Sequence, residues 1–461
     1  MDFDALFSKR STHIKPGLER IARSYEFLGR PAQSIPSVLI GGTNGKGSTS
    51  GFLWSLLSQN QRPCALYSSP HLSEFSERFQ LSHMPTDDTE IARYVTELEA
   101  TLPPELYTEL SFFEAATLVA FQLFAARDAR FQVLEVGLGG RWDATNISDP
   151  LVSVLVSVSR DHEEYLGRDI RQILREKLGI MRPGRPFFWG GGGEILEVPE
   201  HRSIIEAACV ETGAPLIEAG RHFAVKGRAI ELRLPSAEPE TLLLPGAFGE
   251  LAPFLLRNLA LAAAVYAELS RLRRDSKEPL LPLREVWPRF LAGETSSPVS
   301  LIGRCQRLQT GAELGSQKLL VDVCHNPDGA RNFAAAIAQA GLKPLPALVS
   351  ILRDKNYDMI LDILRQSFQP LLLFGVDHSR GWQPQELAER HRDLAFYPSF
   401  QEAWAAMQQK GDETAGRAWA VCGSVLAVGR VLKTLDLSPR DMHVARVVAG
   451  DWPWPAAEQL Q

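Results

Sequence analysis

The chain has 461 residues, 45% apolar and 23% charged, which is ordinary globular composition and length enough for two or three domains with their own cores. A formal net charge of -6 excludes a global attraction to nucleic acid or anionic lipid, and no apolar run reaches the roughly 18–20 residues that span a bilayer. Five scattered cysteines (Cys64, Cys209, Cys305, Cys324, Cys422) form no Cys-x-x-Cys pair, and Met1–Arg10 has no signal-peptide core; a reduced, cytoplasmic protein is expected, with no membrane or nucleic-acid partner.

The β-branched run Ser37–Gly41 leads into Gly42-Thr43-Asn44-Gly45-Lys46-Gly47-Ser48, and helical spacing follows over Ser48–Gln59. Strand, glycine loop and helix opening form an anion cradle: backbone N–H groups turn toward the phosphate and the helix N-terminus adds partial positive charge. Lys46 would supply an ammonium for the outer phosphates, and Ser48 or Thr49 a hydroxyl for Mg²⁺. The usual pattern has Ser or Thr directly after the lysine, whereas Gly47 intervenes here. Taken alone, the segment also fits a glycine turn that caps a helix.

Tyr67-Ser68-Ser69-Pro70-His71-Leu72 comes next, followed by Phe75-x-Glu77-Arg78, and Ser111-Phe112-Phe113-Glu114 opens a further apolar stretch. Phe112 and Phe113 fit helix core. Phe131–Gly137 and Leu151–Val158 are expected buried strands, as in a parallel sheet covered on both faces. Glu135 falls near a strand end, where it could hold Mg²⁺ against phosphates or pair with an arginine. His162, beside Asp161, fits a ligand or a structural histidine. Lys177, within Arg175-Glu176-Lys177-Leu178-Gly179-Ile180, fits a solvated helix position. Gly190–Gly193 lacks a lysine and a helix start, so a flexible turn is expected there and not a phosphate site.

Glu285–Val299 contains two prolines, a glycine and the polar run Glu294-Thr295-Ser296-Ser297, which predicts a linker at residues 293–298 between domains at 1–292 and 299–461. The α/β rhythm then resumes. Lys318–Val323, Ala347–Ile351, Pro370–Val376 and Ala418–Cys422 are expected strands, with a helix at Gly329–Ala340.

The phosphate loop with its extra glycine, the Ser-Ser-Pro-His segment, Gly139-Gly140-Arg141-Trp142-Asp143-Ala144-Thr145-Asn146 and the Lys177 motif together resemble the folylpolyglutamate synthase/dihydrofolate synthase family, within the Mur ligase superfamily. The resemblance runs from about residue 18 to about residue 430. It implies an α/β fold: a P-loop Mur-ligase-like N-terminal domain with a mostly parallel sheet, and a smaller Rossmann-like C-terminal domain carrying the glutamate-ligase part. It also implies a monomeric ATP-dependent ligase that adds L-glutamate to dihydropteroate or to the γ-carboxylate of a reduced folate through an acyl phosphate.

By the same resemblance, Ser69 and Glu135 hold one Mg²⁺, and His162 holds a second with Lys177 as an N6-carboxylysine; Lys46, His162 and Lys177 are catalytic. Gly42 to Ser48, Asn258, Arg304, Asp322 and His325 meet the nucleotide. Ser111, Phe112, Phe113 and Glu114, with Trp142, Asp143 and Ala144, line the dihydropteroate pocket. Three departures stand out. Trp142 replaces the usual Leu, Ser111 the usual Thr, and Phe254-Leu255 the usual His-Gln before Asn258. A cell-wall Mur ligase is disfavoured by the Ser-Ser-Pro-His and Ser-Phe-Phe-Glu segments. A regulatory GTPase would need an Asn-Lys-x-Asp motif, which is absent, and a non-catalytic relative is disfavoured by the intact metal positions.

Overall fold

Continuous apolar runs become strands buried on both faces, and the longer segments between them become the helices that cover those faces. In the computed structural model, residues 16–60, 62–194, 200–235, 237–293, 301–310, 317–409, 418–435 and 450–451 are described. The predicted linker lies outside these from residue 294 onward. The chain divides into two compact units, Met1–Pro245 with Leu255–Ser300, and Gly246–Phe254 with Leu301–Gln461.

The first unit is built on a seven-stranded sheet in the order β3-β2-β4-β1-β5-β6-β7: β1 Ser37–Gly41, β2 Cys64–Tyr67, β3 Phe79–Leu81, β4 Phe131–Glu135, β5 Val152–Ser157, β6 Phe187–Gly192 and β7 Leu216–Glu218. Every pairing is parallel except β2 with β3. β1 and β5 are buried along their whole length, which explains why their sequences are mostly apolar, interrupted only by small serines. From β1 the chain moves first to β2 on one side and later to β5 on the other. Open sheets bind ligands at such a reversal.

The helix Phe112–Ala126 is apolar almost all round and therefore lies inside the core. A capping box starts it: Glu114 N–H donates to Ser111 Oγ at 3.3 Å, and the Glu114 carboxylate accepts the Ser111 N–H at 2.7 Å. Phe121 and Phe124, fully buried on that helix, each contribute about 2–3 kcal/mol by leaving water.

Two parts of this unit differ from the sequence expectation. Gly190–Gly192 is not a flexible turn but the end of β6, pressed against β5; a Cβ on Gly190 would lie 2.5 Å from the Val156 carbonyl oxygen. An antiparallel sheet of β8 Phe223–Lys226, β9 Ala229–Leu232 and β10 Glu240–Leu243, absent from the sequence reading, is also present.

The second unit carries a six-stranded sheet in the order β11-β12-β16-β13-β14-β15: β11 Gln306–Gln309, β12 Lys318–Asp322, β13 Leu345–Val349, β14 Phe368–Phe374, β15 Ala395–Tyr397 and β16 Trp419–Cys422. Only β11 with β12 is antiparallel. All five cysteines are buried free thiols, Cys64 and Cys209 in the first unit and Cys305, Cys324 and Cys422 in the second. Among the described residues, no helix is long and apolar enough to cross a membrane.

Candidate active site

The loop after β1 is latched to the end of β5. Thr43 N–H donates to the Ser157 carbonyl at 2.9 Å, Thr43 Oγ1 donates to the Ser159 carbonyl at 2.9 Å, and Asn44 N–H donates to Ser157 Oγ at 2.9 Å. The helix Lys46–Ser58 then starts from Gly45, whose φ of 83° is left-handed, with no side-chain cap. A Cβ on Gly45 would lie 2.8 Å from Val156 Cγ1 and 2.9 Å from both amide atoms of Asn258. Asn258, buried on the helix Pro253–Leu272, is thus packed on the phosphate loop despite the loss of the polar pair before it. Gly47 and Ser48 are buried in the first helical turn.

Two lysines meet at this loop. Lys46 Nζ donates to the carbonyls of Gly42 and Thr43, each at 3.1 Å, and Lys177 Nζ donates to the same Gly42 carbonyl at 2.9 Å. Lys177 is not the solvated residue its helix position suggested; it is 4% exposed. Burial first, and the Lys46 charge second, lower its ammonium pKa to about 7. At neutral pH a large share is therefore free amine.

Glu135 ends β4 in register with Ile40 of β1, so its buried carboxylate flanks the loop. It accepts the Ser69 N–H at 3.2 Å. On the other flank, after β5, His162 has left-handed φ of 53° and its Nε2 lies 3.8 Å from Asp161 Oδ2. A non-glycine residue held there stores strain of the kind found at functional sites. Among the described residues, no three His, Cys, Asp or Glu side chains converge as a metal cage. The oxygen donors at hand are instead the Glu135 carboxylate and the side chain of Ser69, the residue whose N–H it accepts. Such a set suits an ion that keeps waters and takes phosphate oxygens, as Mg²⁺ does.

The residues expected to line an acceptor pocket are placed unevenly. Phe112 and Phe113 are half-buried at the start of their helix, Phe112 5.6 Å from Phe75 and Phe113 5.8 Å from Tyr67 between ring centroids. Glu114 closes the capping box and pairs with Arg20 at 3.1 Å. Asp143 is buried, and its carboxylate folds the loop: it accepts N–H groups from Gly137, Leu138 and Thr145 and the Thr145 hydroxyl. Burial raises its pKa even so. Ala144 is buried beside it, while Trp142 stands 47% exposed.

Sequence reading gave no role to Arg78, which is 8% exposed and feels the charge of Glu135. Its Nε donates to His71 Nδ1 at 3.0 Å, and the Tyr67 hydroxyl is close by. Burial lowers His71 to about 4, with the Arg78 charge adding to the effect. The signal available in sequence was the Glu-Arg pair two residues after Phe75, on a segment otherwise dense in aromatic and small polar residues.

In the second unit, Asp322 ends β12 and accepts the N–H groups of Cys305 at 2.7 Å and Cys324 at 2.8 Å. Burial raises its carboxyl to about 6, against the opposing charge of Arg304. The ring Nδ1 of His325 lies 3.2 Å from the Val323 carbonyl. Arg304, Asp322 and His325 thus gather at one strand end. Elsewhere in this unit, Asp354 pairs with Arg380 at 3.0 Å, and Ser424 caps the helix Val425–Thr434.

No protein-family model matches the chain. It is 30% identical over 436 residues to the dihydrofolate synthase/folylpolyglutamate synthase of Escherichia coli (strain K12), covering 92% of this chain and 93% of that protein. A crystal structure of a bifunctional folylpolyglutamate synthase/dihydrofolate synthase with Mn, AMPPNP and L-glutamate bound superposes with a TM-score of 0.75 at 29% identity, covering 92% and 95% of the two chains. The Mycobacterium tuberculosis folylpolyglutamate synthase complexed with ADP gives a TM-score of 0.80 at 27% identity, covering 95% and 98%.

Proposed function

The chain belongs to the folylpolyglutamate synthase/dihydrofolate synthase family, and we propose that its two lysines on the Gly42 carbonyl are the phosphate-handling centre of an ATP-dependent ligase joining L-glutamate to dihydropteroate or to the γ-carboxylate of a folate. That convergence is the observation that carries the mechanism. Lys46 brings positive charge to where a nucleotide's terminal phosphates need it, and Lys177, held on the same carbonyl with a lowered pKa, brings a reactive amine.

The open N-terminus of the helix Lys46–Ser58, at the end of the loop Gly42 to Ser48, receives the phosphates, and Lys46 follows the terminal one. Ser69 and Glu135 would hold one Mg²⁺, and His162 with Lys177 a second. Bound there, the ions would neutralise charge that builds on the phosphates as the terminal phosphoryl group transfers. The lowered pKa of Lys177 supports its role. A neutral amine can add CO₂, forming an N–C bond and releasing a proton, and the resulting carbamate supplies a carboxylate where an ammonium cannot ligate a cation.

The acceptor's carboxylate oxygen attacks the terminal phosphorus, and ADP leaves from an acyl phosphate. The amine of L-glutamate then attacks the acyl carbon, phosphate departs with the C–O bond, and the amine loses a proton. Phe112, Phe113 and Trp142 form the apolar side of the acceptor pocket, with Ser111, Glu114, Asp143 and Ala144 fixing its walls. Asn258 steadies the loop, and Arg304, Asp322 and His325 are the nucleotide contacts expected of the domain at 299–461. This reading puts the protein in the cytoplasm as a monomer.

The test is ATP-dependent phosphate release with L-glutamate, run once with dihydropteroate and once with tetrahydrofolate. Release that needs glutamate and either acceptor is the expected result, and the pair of acceptors assigns one activity or both. No release with either acceptor overturns the reading.

A further inference from the structure

Arg78 is a permanent cation, more than nine-tenths buried, that no carboxylate pairs with as a salt bridge among the described residues. Its close polar neighbours are His71 Nδ1, at 3.0 Å, and the Tyr67 hydroxyl. The rings of Phe75 and Phe112 close over it, each centroid 5.5 Å from Cζ. Glu77 and Glu135 attract it from further away. The Glu77 carboxylate is already taken by its own loop, accepting from the N–H groups of Leu72, Ser73 and Glu74 and from the Ser73 hydroxyl. Glu135 is engaged with Ser69. An unpaired buried charge is costly, so a guanidinium kept this way calls for an anion that arrives from outside.

The position says which anion. Arg78 directly precedes β3, and its carbonyl accepts the Ser68 N–H at the end of β2. Across the sheet, β2 is two strands from β1, about 10 Å away, with β4 and Glu135 between them. The phosphate loop lies on the β1 side and the aromatic wall of Phe75, Phe112, Phe113 and Tyr67 on the Arg78 side. A planar guanidinium fork matches a carboxylate with two parallel hydrogen bonds. We propose that Arg78 receives the carboxylate of the acceptor substrate and holds it, against this aromatic wall, facing the terminal phosphate across Glu135. The assignment rests on the ligase reading and adds the residue that binds the reacting group.

Equilibrium binding separates the two claims, with dihydropteroate and its neutral carboxamide as probes and ADP as a control. The wild-type protein is expected to prefer the carboxylate by roughly 10- to 100-fold, the range of a buried charge-assisted pair. In Arg78→Gln the preference should vanish while ADP affinity stays unchanged. Retained preference in Arg78→Gln overturns the proposal. So does equal weakening of both probes together with ADP, which marks a purely structural arginine. If the glutamine protein does not fold, Arg78→Lys decides: it keeps the charge and loses the fork, so a reduced preference supports the proposal and an unaltered one overturns it. An active ligase whose wild-type form shows no carboxylate preference sinks Arg78 alone. A protein without ligase activity that binds neither probe sinks the substrate class, and Arg78 with it.

Discussion

β1 and β12 end alike: each is an apolar buried strand that runs through a short loop into a helix of 13 residues. The loops do opposite things at the helix start. After β12, Asn326 caps the helix Pro327–Gln339 by accepting the Gly329 N–H at 2.8 Å, and Pro327 takes the first position without an N–H to offer. After β1, Gly45 offers no side chain and the left-handed turn leaves the first amides to whatever anion the loop receives. One helix satisfies its own N-terminus, while the other leaves that task to a ligand and surrounds it with lysines. The difference lies in a few side chains, and it separates a self-capped helix start from one left open to an anion within one protein and one type of fold.

The largest expected effect comes from removing the charge that makes the first loop different. Lys46→Ala should lower phosphate release and amide formation by roughly 10³-fold, a loss of about 4 kcal/mol of transition-state stabilisation. A wild-type rate in that variant would reduce the loop to a second structural turn.

Lys177→Met should abolish turnover yet stabilise the fold, by about 1–3 kcal/mol at pH 6, because the variant no longer buries an ammonium beside Lys46. The native pKa of about 7 lies below the ordinary 10.5, so between these values the unfolded wild-type chain binds more protons than the folded one. Wild-type stability then rises with pH across that window, and the gap to the variant should narrow from pH 7 to pH 10.5. Denaturant unfolding at several pH values measures it; a constant gap would mean that Lys177 titrates normally.

Gly45→Ala forces a side chain into a left-handed position and against Val156 and Asn258, and should cost about 1–3 kcal/mol together with ADP affinity. Smallest is Asn326→Ala, expected to cost about 1 kcal/mol of stability as a lost cap. If the two variants changed ADP affinity and stability in the same proportion, the contrast between the loops would not hold.

The phosphate loop was legible in the sequence because glycine spacing and one lysine encode a local backbone shape. The parallel sheets were legible because burial on both faces leaves nearly continuous apolar runs such as those of β1 and β5. The antiparallel sheet of β8, β9 and β10 was not, since strands of four residues are too short to establish an alternation. Lys177 shows a different limit. Its residue type predicts solvent, and only the fold brings it 135 positions back to the Gly42 carbonyl. Arg78 was in plain view, but that no carboxylate among the described residues forms a salt bridge with it is a property of three-dimensional neighbours.

The burial of all five thiols has a practical consequence. Burial raises the pKa of Cys209 to about 11 and pushes Cys64 and Cys305 up as well, while a hydrogen bond with Cys422, and burial after it, raise Cys324, so in the native state these sulfurs scarcely form thiolate. An alkylating reagent can then mark each one only when its surroundings open. With two cysteines in one unit and three in the other, the masses acquired over time would date the opening of each unit separately, and added nucleotide would slow only the clock of the unit it holds shut.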